Sequence, residues 1–452
     1  MAPDRPDAHT MVVRPSRFAG RRARSTGAPG PSAVHPWIRW GLYAFMFSIP
    51  FEYPDRTIPL EVHTISALLF VMVALVQTRV CFRRPCASFW WLAAYLWAYA
   101  AHGLFSAHFG ETAKLLFNYG LVACLFWIES NLMRRERLAR GALWSFVLGC
   151  TVIAALNVLG IGTKVVESDE TTRRIVFGQD ANLLGGNMAL ALVALMTLTF
   201  GGRTRLLQPR VIGSTALAFV LAKSLMLAGS RGAVLAVAGG VLAFGLQTRD
   251  LRAFARTFIV TAMVAASLLV VVYRSDSMMK RYTRTLDSGN MSGREQIFPE
   301  AWKMFTERPL LGWGPIENQY ELGLRTAGFN IGRHNADGVS DRDSKDTHNL
   351  LLDVLTSMGV LGGLPLFICI GTCAWGAWRA RVTVRGTAPL ALTVVVVMLS
   401  MDANWSASKQ GWAMLAFAAA SGSCAGLQRR LRRRRPVPVQ PTGVPPALRR
   451  AV

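Results

Sequence analysis

Charge is scarce in this chain. Asp, Glu, Lys and Arg make up 17% of its 452 residues, where a soluble domain carries about 25%. With 52% hydrophobic residues and a mean hydropathy of +0.31, that shortage excludes an ordinary soluble globule. Signature motifs are missing as well. The sequence has no Walker loop, no zinc-ligand spacing and no dinucleotide fingerprint, so nothing in it reads as a nucleotide or structural-metal site. The period-two alternation of an outer-membrane barrel is also absent, as are internal repeats with matching interrupted helices, the mark of many transporters.

What is present is a succession of apolar runs of membrane-crossing length, separated by short charged loops. They predict twelve transmembrane helices near 36–53, 59–77, 87–106, 113–132, 140–161, 183–201, 209–228, 231–247, 256–273, 348–378, 388–403 and 410–427. Helices are expected because backbone polar groups in lipid must be satisfied within the segment. The fold class is therefore an all-α polytopic membrane protein with one long loop between spans nine and ten.

Lys and Arg number 50 against 26 Asp and Glu, a net charge of +24. The excess lies in alternate loops: Arg79, Arg83 and Arg84; Arg134, Arg135, Arg137 and Arg140; Arg203, Arg205 and Arg210; Arg249, Arg252 and Arg256; Arg379, Arg381 and Arg385. With twelve spans these loops and both tails share one side, which the positive-inside rule makes the cytoplasm. The basic balance thus reports topology and attraction to anionic membrane lipids. It does not point to nucleic acid, because membrane spans interrupt the basic runs.

The chain therefore divides into a disordered basic cytoplasmic tail (1–34), spans one to nine (35–274), a periplasmic loop with short amphipathic helices (275–347), spans ten to twelve (348–427), and a basic, Pro-rich cytoplasmic tail (428–452). Residues 1–34 have no apolar core and do not read as a cleaved signal. None of the seven cysteines falls in an outward loop, so no disulfide framework is expected.

Candidate functional residues are polar groups that break these rules, and they converge on the outward face. Arg231, in Ala228-Gly-Ser-Arg-Gly-Ala233, occupies a tight turn on the side that lacks excess arginine. It suits a snorkelling arginine or a guanidinium fixed at a helix N-terminus to hold an anion, with Ser230 as the helix cap. Arg294 opens an amphipathic stretch carrying Ile297, Ala301, Trp302 and Phe305, which closes in the turn Pro309-Leu-Leu-Gly-Trp-Gly314. His348 and Asn349 begin the tenth span, a place for a helix cap or for a proton acceptor with a pKa near neutrality. Asp346 and Thr347 supply the helix start, and Asp353 stands one turn below Asn349, within reach of it. Asn182 and Asn187 flank the start of the sixth span, after the pair Arg173 and Arg174, and Lys223 lies within the seventh. Each of these also has a plain structural reading. The Asp341-x-Asp343 pair reads as solvated loop.

Two arginines and a histidine on one outward face fit a lipid-linked diphosphate leaving group and an acceptor hydroxyl. Three motifs in this order resemble the O-antigen ligase and polymerase superfamily of bacterial envelope glycosyltransferases, over about residues 170–365. They are Ser230-Arg-Gly-Ala233 opening a span; Ser292-Gly-Arg294 with Trp302 and Pro309–Gly314 after it; and His348-Asn349, then nine residues, then Gly359-Val-Leu-Gly362. The stretch Gly178-Gln-Asp-Ala-Asn182 is similar to the family's asparagine-bearing segment. No threonine comes after Gly362, which weighs against the protein-glycosylating branch.

The resemblance implies a C-type glycosyltransferase-like membrane fold and a metal-independent, inverting transferase with no cofactor. Such an enzyme moves a glycan from undecaprenyl diphosphate to lipid A–core at the periplasmic face of the inner membrane. It assigns the diphosphate to Arg231 and Arg294 and the acceptor hydroxyl to His348; Asn349, Asn182, Arg173, Arg174 and Lys223 are further substrate-binding candidates from their places in the sequence. A polymerase using the same donor is the nearest alternative, and a protein O-oligosaccharyltransferase the next.

Overall fold

The computed structural model describes residues 34–51, 62–168, 171–201, 208–246, 293–326, 344–383 and 385–434, with single positions between 273 and 287. The span expected near 256–273, the Asp341-x-Asp343 pair and the N-terminal tail lie outside these residues. Residues 35–452 cluster as one unit, and every element below belongs to it.

The described chain is helical apart from one hairpin. In order it runs α1 (Pro36–Ser48), α2 (Val62–Leu75), α3 (Thr78–Cys81), α4 (Ala87–Gly103), α5 (Phe109–Leu132), α6 (Glu136–Leu159), β1 (Thr163–Ser168), β2 (Thr171–Val176), α7 (Ala181–Phe200), α8 (Pro209–Ala228), α9 (Arg231–Gly245), α10 (Arg294–Glu307), α11 (Glu317–Thr326), α12 (Leu350–Ala380), α13 (Ala388–Leu399) and α14 (Lys409–Arg434). Five helices, α5, α6, α7, α8 and α12, are long and apolar enough to cross a membrane; α2, α9 and α13 are apolar but shorter. The all-α expectation needs one correction: residues 163–176, which in sequence look like a connecting junction, form an antiparallel pair with Thr163 opposite Val176. Helix α14 also runs on through the basic stretch assigned from sequence to the C-terminal tail.

Two packed groups meet in the bundle. In the first, α1 lies on α2 and α6, and α7 packs between α6, α8 and α9; in the second, α12 packs on α4 and α14. Helix α13 joins them through α9, α7 and α14. Glycine lets the first group close up: a Cβ on Gly185 of α7 would overlap Ser230 at the foot of α9. The bundle end at the α8–α9 junction is its upper end.

Above that end sits an arm made of α10 and α11. It has a small core of its own, Ile297, Ala301, Met304 and Leu322, against which Phe298, Trp313 and Leu352 pack. Arg325 ties the arm together through Glu307, at 2.6 Å to each carboxylate oxygen, and Glu321 at 2.7 Å. The amphipathic helix expected from Arg294 onward is α10.

The arm is sewn into α12. The helix breaks at Gly359, where φ is 62° and ψ −168°. A break there strands two carbonyls, Thr356 and Ser357, and two amides, Val360 and Leu361. The turn Pro309–Gly314 meets all four. Trp313 N donates to Thr356 O (2.8 Å) and Gly314 N to Ser357 O (2.9 Å), while Val360 N donates to Pro309 O (2.8 Å) and Leu361 N to Leu310 O (3.1 Å). Buried backbone groups must find partners, and here the covering segment supplies them. Gly312 and Gly359 allow the approach, since a Cβ on either would overlap the other segment's backbone. In sequence, Gly359 looks like close helix packing and the Pro309–Gly314 turn like a pocket wall; they are instead two halves of one joint.

Candidate functional site

A cavity of about 210 Å³ opens at the upper end, lined by Arg173, Asp180, Asn182, Arg231, Arg294, His348 and Asp402. Separate stretches of chain, far apart in sequence, supply them.

Arg231 is the first residue of α9. Ser230 caps that helix, its hydroxyl accepting from Ala233 N at 3.3 Å. Gly232 is needed for what faces it, because a Cβ there would overlap the Asp402 carboxylate. Arg294 is the first residue of α10, directly after Gly293 with φ 87°. Its guanidinium grips Asp402 twice, donating from Nη1 to Oδ1 (2.5 Å) and from Nη2 to the backbone carbonyl (2.8 Å). That fork aims a planar cation in one direction, as only arginine can.

Arg173 projects from β2. Its Nη2 reaches Asn182 Oδ1 at 3.4 Å and Gly229 O at 3.5 Å, and its buried Nε has no hydrogen-bond partner. Burial lowers its pKa, the charges of Asp180 and Asp402 oppose that, and those of Arg231 and Arg294 add to it. Arg173 therefore feels both of the other guanidinium groups, and an anion between them would relieve the repulsion. Asp180 caps α7, its Oδ1 accepting from Asn182 N (2.8 Å) and Leu183 N (3.1 Å).

His348 is exposed and holds a left-handed backbone, φ 52°, which is uncommon for a residue with a Cβ. Its neighbours impose the geometry. Its own N–H donates to Asp346 Oδ1 (3.1 Å), buried Thr347 bonds the Asn349 backbone, and Leu350 N donates to Ser400 O (2.8 Å). Strain held this way is a known companion of functional sites.

The structure thus brings Arg173, Asn182, Arg231, Arg294 and His348 together. Three candidates do not line the cavity. Asn349 is the cap of α12, its Oδ1 taking Leu351 N (2.9 Å) and Leu352 N (3.2 Å), so the helix start expected from Asp346 and Thr347 lies at Asn349, and its side chain is not spent on Asp353. Arg174 donates to Asn157 O at 3.4 Å. Lys223 is exposed on α8. Two cavity residues are not evident from sequence, Asp180 and Asp402. The signal for Asp402 is a lone acid closing the apolar run of α13, in a turn that offers no other charge before Lys409.

Residues 216–368 match the family model described as O-antigen ligase. Over that segment, about a third of the chain, the sequence is similar to the O-antigen ligase family. The matched segment runs from α8 through the break in α12 and contains Arg231, Arg294 and His348. Arg173, Asp180, Asn182 and Asp402 lie outside it. The match and the five described helices of membrane-crossing length support a multi-pass membrane protein. No curated protein gives a significant match to the chain.

Proposed function

We propose that this protein is an O-antigen ligase of the bacterial inner membrane, with both termini cytoplasmic. It would transfer a glycan from undecaprenyl diphosphate to lipid A–core at the periplasmic face. The observation that carries the reading is the cavity itself: three arginines and a histidine converge there from α9, α10, β2 and the foot of α12. The described basic stretches around Arg83, Arg134 and Arg379 lie at the opposite helix ends, which supports a periplasmic setting for this end.

In this mechanism the acceptor hydroxyl attacks the anomeric carbon from the face opposite the diphosphate, so configuration inverts. The bond from carbon to the phosphate oxygen breaks, and undecaprenyl diphosphate departs. Arg231, Arg294 and Arg173 hold the diphosphate and stabilise the charge that develops on it. His348 takes the hydroxyl proton, help worth ~10²–10⁴-fold in rate. No metal enters, because the arginines do the work a divalent cation does elsewhere.

The test is a reconstituted transfer. Protein in lipid receives a labelled polyprenyl-diphosphate glycan and either lipid A–core or further donor, with chelator throughout. Transfer to lipid A–core that is lost in His348→Ala is the expected result. Chain growth on donor alone would make the protein a polymerase, and no transfer to any acceptor would overturn the reading.

A further inference from the structure

Asp353 takes no part in the chemistry proposed for the cavity. It is a carboxylate in an apolar helix, 7% exposed, and it does not line the cavity. Burying a carboxylate is costly unless it is hydrogen-bonded or paired. Both of its oxygens are used. Asn404 Nδ2 donates to Oδ2 at 2.7 Å, and Asn318 Nδ2 donates to Oδ1 at 3.2 Å while also reaching Thr356 Oγ1 at 3.2 Å.

The two donors come from the segments that carry the Arg294–Asp402 pair. Asn404 stands two residues beyond Asp402. Asn318 belongs to α11, whose partner α10 begins at Arg294. The bridge is directional on the Asn404 side: Asn404 Oδ1 accepts from Ser406 N (3.1 Å) and Ser406 Oγ (2.6 Å), and the Ser406 hydroxyl in turn meets Tyr119 Oη at 2.6 Å. A backbone N–H can only donate, so the Asn404 amide cannot turn over. One carboxylate therefore fastens both carriers of the arginine clamp to the helix whose first turn lies just after His348.

We infer that Asp353 is the positioning residue that sets the Arg294–Asp402 pair against His348, and so governs binding of the diphosphate donor. The inference rests on the site reading given under Proposed function. It needs hydrogen bonding at Asp353 and not its charge, which separates it from a proton-carrying role. Asn318 Oδ1 has no partner, so Asn318 can turn at the cost of its contact with Thr356 Oγ1. In Asp353→Asn the new amide oxygen accepts from Asn404, and its NH₂ donates to the turned Asn318. Asp353→Ala cuts both links.

The experiment uses the full chain in lipid nanodiscs with two readouts. Phenylglyoxal modification of Arg294, mapped by mass spectrometry, reports the clamp without reference to any reaction. Initial rates with a polyprenyl-diphosphate glycan report donor and acceptor KM separately. Asp353→Ala is expected to raise Arg294 reactivity and donor KM by about tenfold while leaving acceptor KM unchanged; Asp353→Asn stays within about threefold of wild type; and Arg294→Ala with Asp353→Ala is no worse than Arg294→Ala alone, because groups acting as a unit are not additive. Should Asp353→Ala prove polydisperse, Asn404→Ala cuts one link outside the helix and is expected to act in the same direction. Unchanged Arg294 reactivity and donor KM on cutting the bridge would overturn the inference. So would an Asp353→Asn variant as damaged as Asp353→Ala, or fully additive losses. Increased Arg294 reactivity in a protein that transfers nothing would support the positioning role and reject the ligase reading.

Discussion

His348 carries two burdens that a substitution can separate. Its imidazole is the proposed acceptor of the hydroxyl proton, and its backbone is held at φ 52°. Glycine takes that backbone conformation without strain. His348→Gly is therefore expected to lose transfer by ~10²–10⁴-fold while its stability stays within about 1 kcal/mol of wild type. His348→Ala loses the same chemistry and keeps the strain, so it should melt below the glycine variant. Thermal unfolding of the three proteins in one detergent checks the order; a glycine variant that melts lowest would mean the ring itself holds the turn. Arg231, Arg294 and His348 are legible in the sequence because each breaks a rule, a cation on the wrong side or a polar group opening an apolar run. Asp402 is not. A single acid at a helix end reads as a solvated residue, and only the fold brings Arg294 to it from 108 positions away.

Among elements, the joint between α12 and the Pro309–Gly314 turn governs the site. Gly359→Ala would meet two obstacles at once, a left-handed φ and overlap with the Leu310 carbonyl, each worth about 1–3 kcal/mol. A clear fall in melting temperature is expected, with loss of transfer, since the joint sets the arm that carries Arg294. A variant that melts with wild type would show that the turn and the helix part easily. Nearly every described helix can be placed from sequence within a few residues, because long apolar runs punctuated by Gly and Arg mark their own ends. The joint cannot. Gly359-Val-Leu-Gly-Gly363 inside an apolar run reads as small-residue packing, and the partner that makes it a break lies some fifty residues upstream. The hairpin 163–176 is hidden for another reason: two short strands with mixed polar and apolar residues carry no periodicity long enough to distinguish from a loop.

On the scale of the molecule, the cavity has a side. All seven cavity residues belong to the helix ends opposite the described basic stretches around Arg83, Arg134 and Arg379. In a background freed of native cysteine, Ala403→Cys should react with a membrane-impermeant maleimide once the outer membrane is made permeable. Thr383→Cys, in the turn between α12 and α13, should react only after the inner membrane is lysed. The reverse pattern would invert the topology and put the cavity in the cytoplasm, where the proposed acceptor is not displayed.

The break in α12 also works as a depth gauge. As one straight rod its 31 residues would measure roughly 46 Å at the usual helical rise, well beyond the ~30 Å of a hydrocarbon core. Divided at Gly359, residues 360–380 come to roughly 32 Å, one membrane thickness, and residues 350–358 to roughly 14 Å standing above it. The lower piece ends among Trp378, Arg379 and Arg381, groups that favour the opposite interface. With the lower piece spanning the membrane, the helix would leave the hydrocarbon where the arm is sewn in, and the arginines would stand at the level of the headgroups. A carrier lipid resting at its natural depth would present its diphosphate there, with its tail still in the membrane and its glycan already in water.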